Sequence, residues 1–141
     1  MARATRVTQK KLKPAPAPRA KAAANGGASL TLRVNFGAYG ALGPGKIRLL
    51  ELIDQHGSIS VAGRAMAMSY LRAWKLVESV NALFDEPVVS TQRGGARGGG
   101  AELTSFGRRV VENYRSMEHE AMAVAMPRLQ ALQKSLTRRP V

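Results

Sequence analysis

The sequence predicts a mainly α domain carrying one small β-hairpin, a winged helix-turn-helix that ends in a long helix. Three observations predict it. The segments run strand, helix, helix, basic helix, hairpin, long helix. The second and third helical segments are only about three residues apart, and the later one has cations on its first turn, the pattern of a helix-turn-helix. The chain also carries a formal net charge of +13 in 141 residues, a balance suited to a polyanionic partner.

"LTLRVNFG" (30–37) alternates Leu30, Leu32, Val34 and Phe36 against polar residues, the period of a half-buried strand. "AYGALGPG" then breaks order. "PGKIRLLELIDQHG" predicts a core helix to His56, with Pro44 near its start, Gly57 just past its end, and a broad stripe of Ile47, Leu50 and Ile53 supplemented by Leu49 and Leu52. Ser58 or Ser60 can cap the short helix that follows, where Ala62, Ala65 and Met66 share a face. After a break at Ala67 and Met68, Ser69 caps a third helix running to Phe84, with Ala73, Leu76, Val77, Val80, Leu83 and Phe84 toward the core. Pro87 stops it. "VVSTQ" and "AEL" read as two strands of a hairpin whose turn is the glycine-rich stretch 94–100. Thr104 caps the last helix, about 104–136, in which Val110, Tyr114, Met117, Ala121 and Val124 form a coiled-coil-like seam. Pro127 is expected to interrupt that helix, leaving Leu129, Leu132 and Leu136 in a shifted phase.

Residues 1–28 are expected to be a disordered basic tail. They hold Arg3, Arg6, Lys10, Lys11, Lys13, Arg19 and Lys21 against no acids and too few large apolar residues to offset the entropy of ordering. The folded domain is then 29–141, with 15 basic and nine acidic residues, large enough for one core. No run approaches the ~18 apolar residues of a membrane span, and no apolar segment of a secretion signal follows the first charges, so a cytoplasmic, nucleoid-associated location without membrane contact is expected. The absence of cysteine removes disulfides and thiolate zinc sites, and His56 and His119 lack ligand spacing, so no metal or other cofactor is expected. "GALGPGK" (40–46) matches the spacing of a phosphate-binding loop, but Ile47 stands where a hydroxyl must hold magnesium and the parallel sheet such loops need is lacking. No nucleophile–base pair or paired carboxylates emerge, and the chain reads as a non-enzyme.

A helix-turn-helix enters the major groove with the amino end of its second helix, which places Ser69, Tyr70, Leu71, Arg72 and Lys75 within reach of bases and phosphates. Arg72 suits guanine O6/N7 as a bidentate donor. Tyr70 and Trp74 read as packing residues. In the hairpin tip Arg93 and Arg97 supply charge, and glycines, Gly98 and Gly99 among them, let the backbone approach phosphate. Ser60, and Lys46 at a helix amino end, complete the candidate DNA contacts. The rival reading of "RGGARGGG" is an unstructured RNA-binding tract.

With these segments placed, the sequence resembles the DNA-binding domain of the ModE-type, molybdate-responsive transcription regulators, themselves similar to the LysR-type winged helices. The resemblance rests on "GPGKIRLLELIDQHGSIS", "MSYLRAWKLVESVNALF", "PVV" and "GGARGGGAELTSFGRRVVENY", and covers about Leu30 to Glu118. It implies a homodimer on a palindromic duplex site, held through the first strand (Leu32, Val34) and the final helix (Val110, Tyr114, Met117, Ala121, Val124), with the recognition helix (about 69–84) and wing (about 93–100) on DNA. Gly63 and Ala67 stand where the family tends to have Ala and Gly, which bears on the turn. Full-length members continue into molybdate-binding domains beyond the point matching Val141, so molybdate control by this chain itself is not expected and any small-molecule effector is left open. Two other readings stay beside the sequence-specific regulator: a nucleoid-associated protein with little sequence preference, and an oxyanion-responsive switch.

Overall fold

A computed structural model describes residues 27–92 and 100–137, and shows a winged helix. Its elements are β1 (Val34–Asn35), β2 (Ala41–Leu42), α1 (Pro44–His56), α2 (Ile59–Ala65), α3 (Tyr70–Asn81), β3 (Val89–Thr91), β4 (Ala101–Leu103) and α4 (Ser105–Lys134). Two antiparallel pairs form, β1 with β2 and β3 with β4. The expected strand over 30–37 shortens to two residues, and its partner lies inside the segment read as a loop: Val34 faces Leu42 and Asn35 faces Ala41 across a single 3-10 turn at Gly37–Tyr39. The expected hairpin forms, with Val89 opposite Leu103 and Thr91 opposite Ala101.

The three expected caps are made by side chains. Ser58 Oγ accepts from the Val61 amide at 3.1 Å, Ser69 Oγ from Arg72 at 3.1 Å, and Thr104 Oγ1 from Gly107 at 2.9 Å, each satisfying one orphan donor of a helix start. α1 contributes Ile47, Leu50 and Ile53 to a core completed by Ala73, Leu76, Val77 and Val80 of α3, Val88, Leu103 of β4, and Tyr114 of α4. α3 stops at Asn81 rather than Phe84 because the Asn81 side chain turns to the next strand: its Oδ1 accepts from Val88 N (2.7 Å) and Val89 N (3.0 Å), and its Nδ2 donates to Val89 O (3.2 Å). The amide thereby fixes where the hairpin leaves the helix.

α4 crosses α1 before it departs from the body. Arg115 grips Glu51 with two bonds of 2.9 and 2.7 Å and also donates to Glu118 at 2.7 Å, while Arg108 donates to Asp54 at 3.1 Å. The Glu51 bond, more than any other influence, raises the Arg115 pKa, burial opposing it, so the guanidinium stays charged. Tyr114 is fully buried and donates to the Leu32 carbonyl. Burial chiefly, with Glu118 adding and Arg115 opposing, pushes its phenol up to about 12.

α4 does not stop at Pro127 but continues to Lys134. Proline deletes the bond to the carbonyl four residues earlier, here Ala123, and both residues are exposed, so water can take the freed acceptor. The Gly63 and Ala67 pair also finds its physical reason. A Cβ on Gly63 would lie 2.8 Å from the Ala73 Cβ, so glycine permits the close crossing of α2 and α3. Ala67, by contrast, holds φ at 56°, a left-handed conformation that strains an L side chain by roughly 1–2 kcal/mol. Ala67→Gly is therefore expected to gain about 1 kcal/mol after the entropy of the freer unfolded chain is subtracted, raising the melting temperature by about 4–8 °C. A thermal melt that falls or stays level would refute the strain.

Candidate nucleic-acid interface

The amino end of α3 is the focus of the candidate site. Its Ser69 cap tethers the first turn, and the buried Ala73, Leu76, Val77 and Val80 hold the helix by one face. At 3.6 residues per turn the opposite stripe is Leu71, Lys75 and Glu78, flanked by Arg72 on one side and by Tyr70 and Trp74 on the other. Ser69, Tyr70, Leu71 and Lys75 are exposed, and Arg72 is half-buried. Arg72 and Lys75 are thus not consumed by the core. The packing reading holds for Trp74, which rests against the core cluster, and fails for Tyr70, which is 56% exposed and stacks on Trp74 with ring centroids 6.4 Å apart and planes 25° from parallel.

The turn before α3 is held by the carbonyl of Gly63, which accepts from both Met66 N and Met68 N at 3.0 Å. Ser60 is half-buried on α2, and its Oγ accepts from Arg64 at 3.2 Å.

The hairpin is anchored at its base. Ala101 N donates to Gly57 O at 3.0 Å, tying β4 to the turn between α1 and α2. Thr104 N donates to Val88 O at 3.0 Å, and Thr104 Oγ1 donates to Pro87 O at 2.6 Å. Gln92 N donates to Gly100 O at 2.8 Å, the outermost rung among the described residues. Arg93, Arg97, Gly98 and Gly99 lie outside the described residues, as does the basic tail through Gly26.

Two sets of expectations change. Lys46 is not a surface contact: it is 5% exposed, and its Nζ donates to the Ala41 carbonyl at 2.7 Å, bracing α1 against β2. Burial first, and the nearby Arg33 charge second, lower its pKa to about 8. A lysine followed by isoleucine at a helix start gave no sequence signal that the stem would fold inward. Val110 and Tyr114 are buried in the core of the chain itself, which removes them from the exposed seam; further along α4, Met117 and Val124 are exposed and Ala121 is half-buried. Leu32 and Val34, expected at a subunit contact, pack partly buried against this same core.

Among the described residues no helix is long and apolar enough to cross a membrane, and no group of His, Cys, Asp and Glu could hold a metal ion.

No protein-family model matches the chain. Curated relatives do. It is 45% identical over 80 residues to the "Molybdenum transport protein ModE" of Azotobacter vinelandii, covering 57% of this chain and 30% of that protein. It is 35% identical over 94 residues to the "Transcriptional regulator ModE" of Haemophilus influenzae, covering 64% and 36%, and 38% identical over 71 residues to the "DNA-binding transcriptional dual regulator ModE" of Escherichia coli K12, covering 50% and 27%. The chain thus spans about a third of the length of these relatives, and the ModE resemblance read from its motifs holds over that part.

Proposed function

We propose, for a chain whose matched part is ModE-like, that it is a transcriptional regulator and not an enzyme, binding double-stranded DNA as a homodimer with α3 in the major groove and the hairpin tip on the flanking backbone. The carrying observation is the amino end of α3: a capped, exposed first turn offering Ser69, Arg72 and Lys75 on a helix whose other face is fixed in the core. A cation on such a turn reaches guanine edges, while arginines of a wing touch phosphate. The printed name of the Escherichia coli relative includes DNA binding, which supports the same reading. The dimer is supported by the outward part of α4, where Met117, Val124 and Leu132 are exposed, as is Leu136 just past its end. Two-fold symmetry then sets like half-sites about one helical turn, ~34–36 Å, apart. Molybdenum in the name of the Azotobacter vinelandii relative makes genes of molybdenum handling the first place to seek its sites.

Fluorescence anisotropy against a palindromic duplex and its scramble, across a salt series, tests the reading. Arg72→Ala is expected to remove roughly 1–3 kcal/mol of discrimination at one position per half-site while leaving the salt slope nearly intact. Equal affinity of the unaltered chain for both duplexes at every salt concentration would refute sequence-specific binding. The nucleoid-type reading is favoured by one observation, the seven cations of the first 26 residues, and is addressed by deleting them.

A further inference from the structure

The stripe of α3 that points straight away from the core begins with Leu71, not with a cation. Leu71 is 59% exposed, and Tyr70 beside it is 56% exposed, although both stand on the first turn of a helix whose apolar needs are met on its other face. The Tyr70 ring is not loose: it lies stacked on Trp74, which is itself packed against the core, so the side chain is already ordered in the free protein. Arg72 and Lys75 border this apolar tip. The amino end of α3 therefore combines a protruding aliphatic group, a braced aromatic wall and two cations.

The only apolar feature that a base pair displays in the major groove is the 5-methyl group of thymine. We infer that Leu71, backed by the Tyr70–Trp74 stack, reads thymine methyl groups, so that each half-site has a thymine at the position facing Leu71. The inference rests on the proposed entry of α3 into the major groove and adds which base the exposed apolar tip selects. Polar groups cannot substitute here, because thymine and uracil present the same O4 acceptor and differ only in the methyl. Burying that methyl against Leu71 favours thymine by about fourfold per half-site, and by on the order of 15-fold for a homodimer using both.

The experiment follows from that difference. The full 141-residue chain selects its preferred duplex from a randomised library, and the selected duplex is then made with each thymine replaced in turn by deoxyuridine. The expected result is a fourfold loss at one thymine per half-site and no change at the others. Leu71→Ala, which removes an exposed side chain and should leave the melting temperature unaltered, is expected to bind the thymine and uracil duplexes equally, at the level of the unaltered chain on uracil. The inference is overturned if no replacement weakens binding, if the selected half-sites lack thymine, or if Leu71→Ala keeps the preference for the methyl. In each of those cases a preferred duplex still exists and the regulator reading stands; a selection from which no preferred duplex emerges would overturn both.

Discussion

Gly107→Ala is expected to unfold the domain or come close to it, although the same exchange at an ordinary exposed helix position gains about 1 kcal/mol. A Cβ built on Gly107 would lie 2.1 Å from the Val88 carbonyl oxygen and 3.0 Å from the Val88 carbonyl carbon. Backbone cannot swing aside as a flexible side chain can, and Val88 is clamped on both sides: its amide is held by Asn81 Oδ1 at 2.7 Å, its carbonyl accepts from Thr104 N at 3.0 Å, and its side chain is fully buried. Relief requires α4 to lift from the hairpin base, breaking the Thr104 contacts and opening the core around Leu103. Overpacking of this severity is expected to destabilise by at least about 3 kcal/mol, a fall of roughly 12 °C or more in melting temperature for a domain of this size. Circular dichroism melts of the two proteins check it. Any rise in melting temperature would mean that α4 does not sit so close to Val88.

That glycine shows where sequence reasoning ends. In the pattern it is a poor helix former early in a long helix, with nothing to tell a tolerated defect from a required close approach. The caps were legible because a hydroxyl before an apolar helical run has one common use, and Ser58, Ser69 and Thr104 all make that bond. Hairpin and core helices were legible from periodicity. The β1–β2 pair was not, because a two-residue strand between glycines has no period to detect. Nor was the fate of Val110 and Tyr114, since spacings of four and three describe a seam equally well whether it meets the same protomer or another. What divides the seam is where α4 stops crossing α1, near the Glu51–Arg115 pair, a tertiary fact invisible in one helix's sequence. Of the candidate site, the α3 cations were foreseen. The exposed Tyr70–Trp74 stack was not, because aromatic residues beside an apolar stripe read as packing.

The position of the hairpin and that of α3 are set by one small group of polar contacts. Asn81 ends α3 and holds Val88 and Val89; Thr104 caps α4 and holds Pro87 and Val88; Gly57 holds Ala101. α3 and the base of the hairpin are thereby locked to each other through the same strand, so that a shift in one moves the other. Under the proposed function such coupling suits a surface that would match a duplex at two places at once, because the relative placement of groove and backbone contacts would be settled before binding.

Deletion of residues 1–26 is expected to change salt dependence far more than base preference. The described chain begins beside the outer end of α4, where Ala28 N approaches Gln133 Oε1 at 3.5 Å, about 39 Å along the helix from Gly107. The 26 preceding residues have a contour of at most about 90 Å, enough to return from there to a duplex held at α3. Their seven cations, unopposed by acids, can release up to about six counterions' worth of slope in log K against log salt per protomer. Between 50 and 200 mM salt that corresponds to a difference on the order of 10³ in how steeply the full and shortened chains lose affinity. Because phosphate contacts carry no direct sequence information, the ratio of affinities for preferred and scrambled duplexes should survive the deletion. Anisotropy titrations of both chains on both duplexes measure slope and ratio together. An unchanged slope would place the tail off the DNA, a ratio collapsing to one would transfer the recognition from α3 to the tail, and complete loss of binding would favour the nucleoid-type protein over the regulator.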